Sequence, residues 1–342
     1  MQLRPEQLAP HLDKPLAPLY LVHGDEPLLV IEAADAIRAT ARKQGFTERE
    51  VLVAGTGFRW DDLFLAAGNL SLFGESKVID LRIPSGKPGR EGSEALQRYI
   101  KTLGPGMVTL ITLPELDWQV KKSTWVTTLA TAGVAIECNA PPLARLPQWL
   151  AERLARQQQS APRAALDFIA AHVEGNLLAA HQEIQKLGLL HPAGELSLEQ
   201  VENAVLNVAR YTPFKLAEAV LGGQVLRVQR MLDGLQAEGE AAVLVHWALA
   251  EDIRTLNRVR GAMDAGRPLP MALRENRVWG VKEKLMERVL PLLKPATLAQ
   301  WLQDAHTVDG IVKGLKQSDW PADPWGALNR MALRVAQACA LK

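Results

Sequence analysis

Short apolar runs alternate with amphipathic helical patterns over the first 140 residues of the chain. The apolar runs predict five strands, at 19–23, 51–54, 77–82, 107–112 and 134–137. Helical patterns fill the intervals, from Pro27 to about Gly45 and at 61–70, 93–103 and 121–132. Strands that alternate with helices are typical of a parallel sheet with crossover connections. Residues 1–140 are therefore predicted to form a doubly wound α/β domain.

The pattern changes at Pro141 and Pro142, because two adjacent prolines continue neither a strand nor a helix. Helical patterns at 146–158, 164–172, 176–190 and 197–205 then predict a small helical domain over residues 141–210. A second boundary follows, where Thr212 is a good N-cap and Pro213 suits the first helical position. Residues 211–342 are predicted to form a longer helical domain, with helices at 213–221, 224–238, 241–265, 280–293, 297–315 and 324–340.

Composition restricts the class of protein. A length of 342 residues exceeds one ordinary core and agrees with several domains. The two cysteines, Cys138 and Cys339, lie far apart and form no disulfide framework, and no signal peptide or membrane-length apolar run occurs. We therefore expect a cytoplasmic protein without a membrane partner. The net charge of +1 excludes a uniformly basic nucleic-acid binder, although residues 211–342 carry 18 Lys and Arg against 14 Asp and Glu.

An α/β domain followed by helical domains suggests a nucleotide-driven protein, and its phosphate loop should follow the first strand. Such a loop needs Gly-x-x-x-x-Gly-Lys-Ser/Thr, so that backbone N–H groups hold the phosphates and the lysine reaches the outer ones. Here the turn reads Gly24-Asp25-Glu26-Pro27, without a second glycine, and the next lysine is Lys43. Carboxylates at a helix start favour the helix dipole but repel a triphosphate. The paired acids of a second NTPase strand are also missing, because Leu81 follows Asp80.

Other catalytic chemistry has no support in the sequence. His172, His181 and His191 do not have the spacing of metal ligands, and no Gly-x-Ser-x-Gly elbow occurs. Cys138, at the end of a predicted strand, is interpreted as a small core residue. The adjacent acids Asp61 and Asp62 are interpreted as the first turn of a helix. We expect no catalytic residue and no metal site.

The stretch from Leu70 to Gly74 places bulky apolar side chains between a predicted helix and the next predicted strand. Core residues usually lie inside such elements. Leu72 and Phe73 therefore either pack under the sheet or project as an anchor for another protein, and the residues alone leave both readings open. As an anchor, the pair could contribute about 3–6 kcal/mol on burial.

Four segments together carry a resemblance that spans the chain. They are residues 20–29, residues 70–74, residues 174–179 with Glu183, Lys186 and Leu187, and residues 211–214. In this order they resemble the delta subunit family of bacterial DNA polymerase III. In the third segment, Gly175 and Asn176 are interpreted as a cap between two helices, and Glu183 with Lys186 as an exposed pair.

The resemblance implies an AAA+-like subunit without a working ATP site. Residues 1–140 would bind the ring-shaped beta sliding clamp, residues 141–210 would form a small helical lid, and residues 211–342 would join a helical collar. The implied partners are the gamma/tau and delta-prime subunits of a five-membered clamp loader and primed DNA. ATP and magnesium would be bound by partner subunits, so this chain would hold no cofactor. It would be a non-catalytic part of the DNA polymerase holoenzyme in the bacterial replisome.

The resemblance also implies residue roles. The family's clamp-binding plug maps onto Leu72 and Phe73, with Leu70 and Ser71 beside them. Binding would open the clamp, because a ligand shifts a conformational equilibrium towards the state that it prefers. The alternative function is a divergent AAA+ NTPase with an unorthodox phosphate loop.

A possible DNA contact lies in the predicted collar. Trp279 stands among Arg277 and Lys282, with Lys313 further along, as in a stacking platform for an unpaired base. The alternative is an ordinary solvated helix in which Trp279 packs against the core.

Overall fold

The computed structural model describes residues 1–68, 76–205 and 209–340. They fall into two compact units. The first comprises residues 1–170 with the described part of 177–206, and the second comprises residues 171–176 with the described part of 207–342. Each unit has a hydrophobic core of its own. The proposed division of the chain at residue 140 stays a prediction.

A parallel sheet is the centre of the first unit. Its six strands are β1 (Gln2–Leu3), β2 (Leu19–His23), β3 (Phe46–Val53), β4 (Ser76–Arg82), β5 (Met107–Leu113) and β6 (Val134–Glu137). Their spatial order is β1-β6-β2-β5-β4-β3, and every neighbouring pair is parallel. The central strand β2 is buried at all five positions, as expected for a parallel strand covered on both faces. Because the strands are parallel, the turns after β2, β4 and β6 leave the sheet at the same edge.

Ten α-helices begin among the described residues of the first unit. They are α1 (Leu8–Leu12), α2 (Pro27–Lys43), α3 (Asp61–Gly68), α4 (Gly89–Tyr99), α5 (Trp118–Lys121), α6 (Thr124–Ala132), α7 (Leu146–Arg156), α8 (Arg163–Val173), α9 (Leu177–Leu190) and α10 (Leu198–Ala204). Two short parallel strands, β7 (Gln159–Ser160) and β8 (Gly194–Glu195), pair among the later helices. Within the described ranges, no helix combines the length and apolar character needed to span a membrane.

The second unit is helical. Its helices are α11 (Pro213–Leu221), α12 (Val225–Ala237), α13 (Ala242–Asp264), α14 (Leu269–Glu275), α15 (Val281–Val289), α16 (Pro295–Val312) and α17 (Pro324–Cys339). Leu256, Trp301 and Met331 are almost fully buried in its core. Thr212 caps α11 as predicted, since its side chain accepts a hydrogen bond from the Lys215 N–H at 3.3 Å.

Gly175 lies between the end of α8 and the start of α9, has a left-handed φ of +75° and belongs to the second unit. A Cβ at this position would stand 2.2 Å from the carbonyl oxygen of Arg210, so the close approach requires glycine. The backbone N–H of Arg210 donates to the Glu174 carbonyl at 2.8 Å. The predicted cap between two helices is therefore confirmed.

The fold class, α/β followed by all-α, is confirmed, but some elements differ from the prediction. Six elements were not expected, because each has seven residues or fewer and so carries little hydrophobic period: β1, α1, α5, α14, β7 and β8. β3 begins at Phe46 rather than at residue 51, because its first half is polar and lies at the exposed sheet edge. Glu183 does pair with Lys186 at 2.6 Å, but Glu183 is 8% exposed, so the expected exposure was wrong. It lies beside buried Ile184 and is drawn into the packed face of α9.

Candidate functional site

The four residues predicted to bind the clamp, Leu70, Ser71, Leu72 and Phe73, lie outside the described residues. In the sequence they stand between α3 and β4. Their role stays a prediction.

Helix α3, which precedes this segment in the chain, has one buried and one exposed face. Leu63 and Ala66 are buried under the sheet, whereas Leu65 is 58% exposed. Phe64 is half-buried against Tyr99, with the ring centroids 6.1 Å apart in an edge-to-face arrangement. Asp62 pairs with Arg59 at 2.7 Å in the first turn, which confirms that these acids begin a helix. An exposed leucine therefore lies shortly before the predicted plug.

The turn after β2 stands where a phosphate loop would begin. Glu26 is the N-cap of α2, because its Oε1 accepts a hydrogen bond from the Leu28 N–H at 3.1 Å. Its side chain is 7% exposed, and this burial raises the pKa of Glu26, which the Leu28 hydrogen bond partly offsets. The next residue, Pro27, has no N–H to donate. The amino end of α2, a general site for anions, is therefore occupied by the chain's own carboxyl group.

Three contacts join this turn to the residues that follow β6, and we call them the strap. The Glu26 N–H donates to the Cys138 carbonyl at 3.1 Å, and the Ala140 N–H donates to Asp25 Oδ1 at 2.8 Å. Gly24 lies so close that a Cβ there would be 1.9 Å from the Cys138 carbonyl oxygen. The strap holds the turn against the residues after β6 and uses the Glu26 N–H, a group that a phosphate loop would offer to its ligand.

Asp80 on β4 has a structural environment. It is fully buried, and its Oδ2 accepts hydrogen bonds from Arg38 Nε at 2.9 Å and Arg49 Nε at 3.1 Å. Burial alone would raise the pKa of Asp80, but the hydrogen bonds from Arg49 and Arg38 outweigh it and hold the pKa below its ordinary value. The carboxylate thus joins α2 and β3 to β4, and its charge is already balanced by arginines.

The two thiols are buried in separate places. Burial raises the pKa of Cys138 to about 12 and that of Cys339 to about 11. Because the thiolate is the nucleophile, neither cysteine is suited to covalent catalysis. The interpretation of Cys138 as a core residue is confirmed.

Trp279 and Arg277 lie in the connection between α14 and α15. Trp279 is 61% exposed, so it does not pack in the core of the second unit. Arg277 has a left-handed φ of 56°, which marks a tight turn in this connection. An exposed tryptophan beside an exposed arginine is an arrangement on which a base could stack.

The two lysines of the predicted DNA contact are ion-paired. Lys282 Nζ lies 2.6 Å from Asp252 Oδ1, and Lys313 Nζ lies 2.7 Å from Asp309 Oδ2. Lys282 is on α15, close in sequence to Trp279, whereas Lys313 is the C-cap of α16. Pairing with aspartate reduces the charge that either lysine could offer to a phosphate.

Known proteins match this chain over most of its length. A family model described as DNA polymerase III, delta subunit, matches residues 20–139. The DNA polymerase III subunit delta of Escherichia coli K12 is 30% identical over 333 residues, which cover 97% of this chain and 96% of the relative. The chain belongs to the DNA polymerase III delta subunit family.

Other members of the delta subunit family agree. The subunit delta of Haemophilus influenzae is 28% identical over 320 residues, covering 90% of this chain and 93% of the relative. Among solved structures, the Bacillus subtilis DNA clamp loader delta protein matches with a TM-score of 0.52 and 18% identity, covering 97% of this chain and 99% of that chain. At this identity the match shows the fold alone. The match agrees with the fold class expected from the sequence, a parallel α/β domain followed by helices.

The strap was missed in the sequence because it joins residues that are more than a hundred positions apart. The Asp25–Ala140 hydrogen bond, for example, spans 115 positions. The acidic turn itself was visible, and the prediction that its carboxylates favour the helix start is confirmed for Glu26. Sequence similarity over most of the chain thus shows the family, whereas the strap is seen only in the structure.

Proposed function

We propose that this chain is the non-ATPase delta subunit of a DNA polymerase III clamp loader, which binds the beta sliding clamp and opens it for loading on primed DNA. The observation that carries the proposal is the similarity to E. coli subunit delta over 97% of the chain. The turn after β2 supports the proposal that the subunit is not an ATPase, because the Glu26 carboxyl group caps the amino end of α2, where a phosphate would otherwise bind.

Leu72 and Phe73 are the proposed plug, with Leu70 and Ser71 beside them. Burial of the two side chains contributes about 3–6 kcal/mol, whereas nanomolar binding needs about 12 kcal/mol. Further surface must therefore contribute. Leu65, exposed on α3 seven positions before Leu72, is the described apolar side chain best placed in sequence to add to this contact.

The clamp opens if the subunit fits it better with one ring interface broken, because binding shifts an equilibrium only by differential affinity. No bond chemistry is then needed in this chain. ATP and magnesium belong to the partner subunits, the gamma/tau subunits, and this chain has no cofactor. Residues 211–342 join the collar with the gamma/tau and delta-prime subunits, and residues 141–210 form the lid. The complex works in the cytoplasm, at the replisome.

Trp279 is the residue through which this chain is proposed to contact DNA in the collar, with Arg277 beside it. Lys282 and Lys313 belong to the same proposed contact as weaker contributors, since each is paired with an aspartate.

A pull-down with the sliding clamp of the same cell tests the central claim. The double variant Leu72→Ala, Phe73→Ala is expected to lose clamp binding by at least about 100-fold while it still assembles with the other loader subunits. Leu65→Ala should lose part of the affinity, about 0.9–1.7 kcal/mol, if burial of its exposed 58% removes a proportional share of a leucine's transfer energy. Leu189→Ala is the matched control, because Leu189 is 88% exposed on α9. Loss of assembly in the double variant would instead place the pair in the core.

Titration of the isolated chain with ATP and magnesium tests the non-ATPase part. We expect no binding at micromolar nucleotide, because the N–H groups of Glu26 and Leu28 at the start of α2 already donate to acceptors of the chain itself. Micromolar affinity would favour the divergent NTPase.

A further inference from the structure

Arg153 on α7 and Glu32 on α2 form a bidentate ion pair. Arg153 Nη1 donates to Glu32 Oε1 and Nη2 donates to Glu32 Oε2, both at 2.5 Å. The two residues are 121 positions apart in the chain. Arg153 is 5% exposed, whereas the Glu32 side chain is 33% exposed. The planar guanidinium fits a carboxylate in this two-bond geometry, which a lysine could not reproduce.

Two further side chains hold the guanidinium in place. Its Cζ lies 4.2 Å from the centre of the Trp149 ring, one turn earlier on α7. Its Nη1 also lies 3.4 Å from His181 Nδ1 on α9. Burial and the Arg153 charge lower the pKa of His181, so the neutral ring accepts this hydrogen bond. Arg153 thus connects α7 and α9 to the helix that begins at the strapped turn.

A cavity of the first unit reaches Trp149, the ring that lies against Arg153. This cavity of about 900 Å³ is lined by residues 2–7, Leu29, Glu137, residues 139–142, Arg145 and Trp149. Of the four side chains around the ion pair, Trp149 lines this cavity, and Leu29 of α2 lines it as well. Glu32–Arg153 is a half-buried contact of fixed orientation near this cavity, and its arginine is the buried partner.

We propose that Glu32 and Arg153, with Trp149 and His181, form a built-in latch that holds α7 and α9 against α2 without a bound nucleotide. In a nucleotide-binding protein of this architecture, a ligand at the start of the corresponding helix could stabilise this arrangement by binding. Here the turn is closed by its own carboxyl group, and the latch supplies the connection from protein side chains. The inference rests on the proposed function in one respect, the proposal that this chain binds no ATP.

Hydrogen exchange and limited trypsin cleavage of the full chain test the latch. Glu32→Gln removes the negative charge with little change of shape, and Arg153→Met keeps the apolar stem over Trp149. Each variant should raise the exchange rates of the α7 amides and the cleavage rate after Arg145 by about 5–30-fold. The double variant should be no worse than either single one, because both remove the same interaction. Asp167→Asn is the control, since it breaks the exposed Arg163–Asp167 pair on α8, and it should leave both rates within about twofold.

Unchanged α7 exchange in Glu32→Gln and Arg153→Met, or additive effects in the double variant, would overturn the latch. Loss of cooperative folding of the whole chain would also overturn it, because the latch is proposed to act on one contact within the first unit. The clamp pull-down is measured in parallel on the same variants. If the variants show faster α7 exchange but the wild-type chain does not bind the clamp, the proposed function is refuted and the latch is not.

Discussion

Replacing Gly24 by alanine tests the strap between the turn after β2 and the residues after β6. The new Cβ would stand 1.9 Å from the Cys138 carbonyl oxygen and 2.4 Å from its carbonyl carbon. A carbon–oxygen contact needs about 3.4 Å, so the two backbone segments must move apart by about 1.5 Å. Neither segment can move without disturbing the sheet, because β2 and β6 are paired in register immediately before the contact.

Such a shift breaks the two hydrogen bonds of the strap, from Glu26 N–H to Cys138 and from Ala140 N–H to Asp25. Each bond is worth about 0.5–1.5 kcal/mol, and forced overpacking costs about 1–3 kcal/mol. The free energy of unfolding should therefore fall by about 2–6 kcal/mol. For a unit of this size the melting temperature of the first unit drops by about 5–20 °C.

Thermal unfolding followed by circular dichroism measures this drop. Gly55→Ala is the matched control, because no described atom lies within 4 Å of a Cβ at Gly55 and its φ is not left-handed. That variant should stay within about 0.5 kcal/mol of the wild type. A melting temperature for Gly24→Ala within 2 °C of the Gly55→Ala control, taken as roughly the scatter of such controls, would show that the strap does not hold the turn.

Asp80→Asn should destabilise the first unit by about 3 kcal/mol at pH 7, because Arg38 and Arg49 then face a buried neutral group. The folded-state pKa of Asp80 lies below its unfolded value, so the stabilisation by this carboxylate is present above about pH 4 and is lost as the pH falls through the folded-state pKa. Urea unfolding from pH 7 to pH 3 should show the free energies of unfolding of the wild type and the variant converging. A constant difference between them would contradict this. Trp279→Ala should weaken primer-template binding by the loader by about 1–3 kcal/mol without changing clamp binding. Trp118→Ala is the control, because Trp118 is 69% exposed in the first unit. Equal effects of the two substitutions would show that Trp279 does not contact DNA.

The periodic elements could be predicted from the sequence because they bury a continuous apolar pattern. The buried run of β2 and the capped start of α11 are examples, since each signal lies within a few neighbouring residues. The first half of β3 could not be predicted, because an exposed edge strand keeps its polar residues. A four-residue helix such as α5 carries less than two turns of pattern.

The candidate site divides in the same way. The missing phosphate residues were visible at Gly24 to Pro27, and so was the favourable place of carboxylates at the start of α2, but the Glu26 cap itself was seen only in the structure. The strap and the Glu32–Arg153 pair were not visible, because each joins segments that only the folded sheet brings together. The role of Leu72 and Phe73 comes from the family resemblance and stays a prediction.

The two buried thiols have a practical consequence for labelling. With pKa values raised to about 12 and about 11, Cys138 and Cys339 ionise to only about one part in 10⁵ and 10⁴ at pH 7. They are the chain's two cysteines, so a cysteine introduced at an exposed position such as Gly55 would be the fast-reacting thiol. A fluorophore could then be attached at one chosen point of the otherwise native chain, and its approach to a ring or a primer followed in real time.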